Sequence, residues 1–131
     1  MRALDTNIIV RLVARDDGAQ VASAEALLSA PFLILPTVIL EAVWVLRTTY
    51  ALSPSEIVDR LGRVLGNEYA VVQSGRAILW AFRRYCEGAD FADMLHIALA
   101  NEAEAKSFAT FDRRMAHADI SGLTIAFEQL V

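Results

Sequence analysis

Between Pro31 and Pro36 lies Phe32-Leu33-Ile34-Leu35, an unbroken apolar run framed by two residues that cannot continue a regular element. A strand with one wet face alternates apolar and polar residues. A continuous apolar run instead predicts a strand covered on both faces, as in a parallel sheet flanked by helices. The uncharged stretch around it, Ala26 to Leu40, is too short and too proline-broken for a membrane span, which needs ~20 apolar residues. At 131 residues the chain is expected to form a single domain over 1–131, able to bury that strand.

Short strands and helices alternate along the rest of the chain. Arg2 to Asp5 reads as a strand, and Thr6 to Ala14 as a helix on the spacing of Ile8, Ile9, Leu12 and Val13. Arg15-Asp16-Asp17-Gly18 is a turn, followed by an alanine-rich helix over Ala19 to Ser29. Thr37 to Tyr50 reads as a helix apolar almost all round except at Glu41. Ser53-Pro54-Ser55-Glu56 opens a helix to Leu65 with a cap, a first-position proline and a glutamate three after the cap. Tyr69 to Val72 predicts a strand, Ser74 to Glu87 a helix closed by Gly88, and Asp90 to Ala103 a further helix. Ser107 to Phe111 predicts a strand ending at Asp112, Arg113 to His117 a helical turn, and Leu123 to Phe127 a last strand. The order describes an α/β domain with a mainly parallel sheet.

In such a sheet, sites form beyond the carboxyl ends of the strands. Asp5 and Asp112 fall at two of those ends, Asp93 in the first turn of a helix after a glycine-containing loop, and Glu41 one turn into a helix after a strand. Gathered as anions, these carboxylates would repel one another and lose hydration, a conflict that a hard divalent cation resolves. Oxygen-only ligation favours Mg²⁺ or Mn²⁺ over structural zinc, and one or two such ions suit phosphodiester hydrolysis. Asp90 reads first as a helix cap that adds charge nearby. Thr6, Asn7 and Thr110 flank the acids as hydrogen-bonding support. Arg11, Arg15, Arg113 and Arg114 are the candidate phosphate contacts. His96 shares a helix face with Asp93 and is read as an ordinary histidine with a local partner. Cys86, the only cysteine, can form no internal disulfide.

Four segments carry a resemblance: Leu4-Asp5-Thr6-Asn7, Pro36-Thr37-Val38-Ile39-Leu40-Glu41, Asp90-Phe91-Ala92-Asp93 and Thr110-Phe111-Asp112. Their order resembles the PIN-domain ribonucleases, and within them most closely the VapC toxins of toxin–antitoxin pairs. The resemblance implies a PIN-like three-layer α/β/α sandwich around a mainly parallel central sheet, and Mg²⁺- or Mn²⁺-dependent endoribonuclease activity. It also implies homodimerisation and a cognate antitoxin that covers the site. By position, Asp5, Glu41, Asp93 and Asp112 match the family's acids, and Thr6, Asn7 and Thr110 its supporting polar positions.

The net charge of −4 argues against holding nucleic acid through bulk positive potential, yet a nuclease built on metal-binding acids would itself be acidic. An apolar fraction of 56% with mean hydropathy of +0.40 is high for a chain of this size, so a partner or second copy is expected to cover part of the surface. Met1-Arg2-Ala3-Leu4-Asp5 has no signal-peptide pattern, which points to the cytoplasm. A phosphatase or phospho-acceptor with Asp5 as nucleophile is a second reading. It would want another aspartate where Asn7 stands, and Lys106, the only lysine, occupies no obvious phosphate position. A non-catalytic antitoxin-binding module is a third.

Overall fold

The two prolines that frame the apolar run do in the structure what their chemistry dictates. In the computed structural model, which describes Met1–Val131, β2 occupies Phe32–Ile34, and Pro36 opens the helix that follows it, where its missing N–H costs nothing. Phe32 and Ile34 are fully buried and Leu33 half-buried. The chain falls into two compact units, Met1–Gly75 and Arg76–Val131.

In the first unit β2 is the middle strand of three. β1 (Arg2–Ala3) and β3 (Ala70–Val72) both pair with it in parallel, Arg2 opposite Phe32 and Phe32 opposite Ala70. The connections are helical: α1 (Thr6–Ala14) and α2 (Gly18–Ala26) lead from β1 to β2, while α3 (Pro36–Thr48) and α4 (Pro54–Leu65) lead on to β3. Helix α1 packs against α2, α3 and α4. Ile9, Val10, Ile39, Leu46, Ile57 and Leu61 are fully or almost fully buried. Helix α4 starts with the expected capping box: Ser53 Oγ accepts from Glu56 N, and Glu56 accepts from Ser53 N.

Two expectations need correction here. Strand β1 stops at Ala3 instead of Asp5, although Leu4 N still donates to Leu33 O at 3.0 Å. Helix α3 is not buried all round, because Thr37, Glu41, Trp44 and Thr48 recur at helical spacing and form one exposed stripe. A glutamate on that stripe is solvated and needs no buried partner.

Arg11 on α1 joins that helix to its surroundings. Its Nη1 donates to Asp16 Oδ1 at 2.8 Å and to the Tyr50 hydroxyl at 2.9 Å, while Tyr50 donates to Asp16 Oδ2 at 2.7 Å. The Tyr50 bond, aided by the guanidinium, holds the Asp16 carboxyl below its ordinary pKa.

The second unit carries α5 (Gly75–Cys86, which begins at the boundary), α6 (Phe91–Glu102), β4 (Ser107–Thr110), α7 (Arg113–Ala116) and β5 (Ala126–Gln129). Phe82 and Phe91 stack with ring centroids 5.4 Å apart, and Tyr85 meets Phe91 edge-on at 5.7 Å. Gly88 closes α5 with φ of +103°, a left-handed conformation that disfavours any side chain. β4 and β5 pair in parallel with Ser107 opposite Ala126 and Thr110 opposite Gln129. Every strand pairing in the molecule is parallel, but β2 alone is mostly buried; β4 alternates exposed and half-buried positions.

The last strand lies three residues later than its apolar run predicts. Asn101 Oδ1 accepts from Thr124 N at 2.9 Å, Ile125 N at 3.0 Å and the Thr124 hydroxyl at 3.2 Å, so those donors are taken before a ladder can use them. Pairing begins where Ala126 N reaches Lys106 O at 3.1 Å.

Two stability measurements follow. Asn101→Ala strands the amides of Thr124 and buried Ile125 and is expected to cost about 1–3 kcal/mol in chemical denaturation. A depressed carboxyl pKa contributes stability above the unfolded value near ~3.9 and loses it as pH falls through the folded value. Asp16→Asn is therefore expected to lower the thermal midpoint at pH 7, with the difference from the parent shrinking as pH falls below about 4 toward the folded value.

Candidate metal-binding acids

Asp5 stands at the N-cap of α1 with extended backbone angles, φ −75° and ψ 160°, and its carbonyl accepts from Ile8 N and Ile9 N. An aspartate here ordinarily turns its side chain back onto the helix amides. Asp5 does not, and its exposed carboxylate makes no capping bond. Beside it, Thr6 is 6% exposed and is the only buried polar residue of the chain, whereas Asn7 is exposed. Glu41 lies in the second turn of α3 on its exposed stripe, flanked by Thr37 and Trp44.

The other two arginines of this unit proposed for RNA are engaged within it. Arg11 binds Gln20 through Nε at 2.6 Å in addition to Asp16 and Tyr50. Arg15, left-handed at the α1 C-cap, pairs with Glu25 at 2.6 Å.

In the second unit three carboxylates stand at two helix starts, and Asp90 and Asp112 each act electrostatically on Asp93. Asp90 caps α6, its Oδ2 accepting from Asp93 N at 2.9 Å. Asp93 follows in the first turn, half-buried. Asp112 caps α7, its Oδ1 accepting from Arg114 N at 2.8 Å and Met115 N at 3.2 Å, which leaves Oδ2 without a hydrogen bond. Thr110 Oγ1 accepts from Asp112 N at 3.0 Å and so fixes the turn between strand and helix.

Burial pushes the Asp93 carboxyl above its ordinary pKa, and the charges of Asp90 and then Asp112 push it further. His96 and Arg114 act in the opposite sense and only partly offset this. His96 is exposed on α6, as an ordinary surface histidine would be. Arg113 and Arg114 are exposed and form no salt bridge.

The donor chemistry fits a hard cation: carboxylate oxygens, one of them held in a medium and beside neighbours that disfavour its negative charge. No group of three or more histidine, cysteine, aspartate or glutamate side chains is placed so that it could hold a metal ion. The sequence reading placed Phe111 inside the apolar strand, but β4 ends at Thr110 and Phe111 is 73% exposed. Alternation along the strand gives no warning of this, because the signal is the Asp112 cap that turns the chain away.

A family model described as PIN domain matches residues 2–121, spanning parts of both units. No curated protein matches the chain. No helix is long and apolar enough to cross a membrane.

The capping geometry separates structural from spare carboxylates. Asp90→Ala and Asp112→Ala each lose a cap and are expected to cost about 1 kcal/mol of unfolding free energy, whereas Asp5→Ala, which loses none, should cost clearly less. Urea denaturation of the three variants without added metal checks this ordering.

Proposed function

Because the chain belongs to the PIN domain family, whose members are generally metal-dependent nucleases, we propose that it is an Mg²⁺- or Mn²⁺-dependent endoribonuclease serving as the toxin of a toxin–antitoxin pair. The observation that carries this reading is the crowding at Asp93, a half-buried carboxylate whose ionised form is disfavoured by burial and by two neighbouring acids. Asp90 and Asp112 serve their helices as caps, but capping offers the Asp93 carboxylate no compensating positive charge.

In this reading Asp5, Glu41, Asp93 and Asp112, the acids of the four motif segments, would hold the metal. The bound ion supplies Lewis acidity toward a phosphodiester and lowers the pKa of water. The chain's own groups set the stage for that chemistry. The α7 amides grip Asp112 Oδ1 and present Oδ2 in one orientation. Asp90 holds the start of α6 and thereby the position of Asp93, while Thr110 fixes the peptide at Asp112. Thr6 and Asn7 support Asp5. Arg113 and Arg114, which form no salt bridge, contact RNA phosphates. Arg11 and Arg15 hold α1 in place through Asp16, Gln20, Tyr50 and Glu25 and serve the RNA indirectly.

The remaining parts of the proposal are a single domain over 1–131, a homodimer, a cognate antitoxin whose segment covers the acids, and action in the cytoplasm. The apolar fraction of 56% and the exposed Trp44 and Leu79 are consistent with surface that a partner covers.

The purified protein is expected to cleave RNA with Mg²⁺ or Mn²⁺ present. Chelation, Asp5→Asn and Asp93→Asn are each expected to slow cleavage by about 100-fold or more, since charge stabilisation by a metal is worth several kcal/mol. Cleavage that survives both chelation and Asp5→Asn would overturn the mechanism.

A further inference from the structure

Phe111 is 73% exposed and is the only exposed phenylalanine, tyrosine or tryptophan in the unit Arg76–Val131. It sits between two residues whose backbones are fixed. Thr110 O accepts from Leu130 N at 2.7 Å, Thr110 Oγ1 accepts from Asp112 N at 3.0 Å, and Asp112 Oδ1 accepts from two amides of α7. A large apolar ring left in water at a mobile tip needs no explanation. Here it is held on a rigid turn, directly before the carboxylate of Asp112 and one residue short of two exposed arginines that form no salt bridge. A flat apolar face beside paired positive charges complements an unstacked base and its flanking phosphates, and base–aromatic stacking needs no particular base.

We propose that Phe111 is a stacking platform for an unpaired nucleobase, with the strand laid across the Phe111–Arg114 turn and its phosphates against Arg113 and Arg114. The inference rests on the nuclease reading for the identity of its ligand and adds to it a residue that binds a base. A base locked in a duplex has both faces covered by its neighbours and cannot reach the ring. Phe111 touches the substrate in this scheme and takes no part in bond breaking.

The test is fluorescence anisotropy of the full chain with a labelled 12-nucleotide oligouridine, alone or annealed to oligoadenine, in chelator so that binding is read without cleavage. Phe111→Ala is expected to weaken binding of the single strand by about 5- to 150-fold, the range of one stacked base, and to leave duplex binding within about two-fold. Phe111→Trp is expected to restore single-strand affinity, and Phe111→Leu is not. Equal loss on single strand and duplex, no loss at all, or rescue by leucine as complete as rescue by tryptophan would overturn the proposal; the last outcome would mark an apolar protein-docking surface instead. Failure of cleavage with a retained Phe111 effect removes the nuclease reading alone. Cleavage with no Phe111 effect removes the stacking platform alone.

Discussion

Two parallel strands cannot be joined by a tight turn, and that constraint governs where this chain can put its chemistry. Each parallel pairing requires a long connection, and here the connections are helices that begin within a few residues of the strand before them. Asp5 lies between β1 and α1, and Asp112 between β4 and α7. Parallel order therefore does more than bury β2. It converts the carboxyl end of a strand into the amino end of a helix.

Helix amino ends tolerate acids because their unpaired amides and the aligned peptide dipoles favour negative charge, typically by 0.3–1 kcal/mol per group. Asp5, Asp90 and Asp112 are all N-caps, and Asp93 is in a first turn. The same local field that makes aspartate a good cap lets several carboxylates persist near one another. It does not remove their repulsion, as the raised Asp93 pKa shows. Capping and metal binding are thus compatible uses of one side chain: Asp112 caps through one oxygen and keeps the other, while Asp5 occupies the cap position and leaves its side chain uncommitted.

Local sequence patterns were a good guide wherever a local rule decides the structure. Helix α1, the capping box of α4, the glycine stop after α5 and the Asp90 cap of α6 all lie where short-range spacing places them. The parallel pairing was legible from the apolar run of β2. What escaped were outcomes set by distant residues. The last strand starts late because Asn101, over twenty positions earlier, takes the amides at Thr124 and Ile125. Phe111 leaves the strand because Asp112 caps the next helix. At the candidate site, residue types and order were readable, whereas the hydrogen-bond commitments of Arg11 and Arg15 to residues of their own unit were not.

Glu41 shows how a correct element can carry a faulty reason. Its helix is where the pattern puts it, but a helix apolar almost all round in sequence is not buried all round, since Trp44 and Glu41 share one exposed stripe. An exposed glutamate has no desolvation penalty that demands a cation, so burial lends it no support as a ligand. Its place in the proposed site rests on the order of the four acidic segments within the family match. Asp93 differs, because burial and neighbouring charge both disfavour its anion in the structure itself. Of the four acids it is the one whose own surroundings call for positive charge, and Arg114, exposed and free of salt bridges, relieves that need only in part.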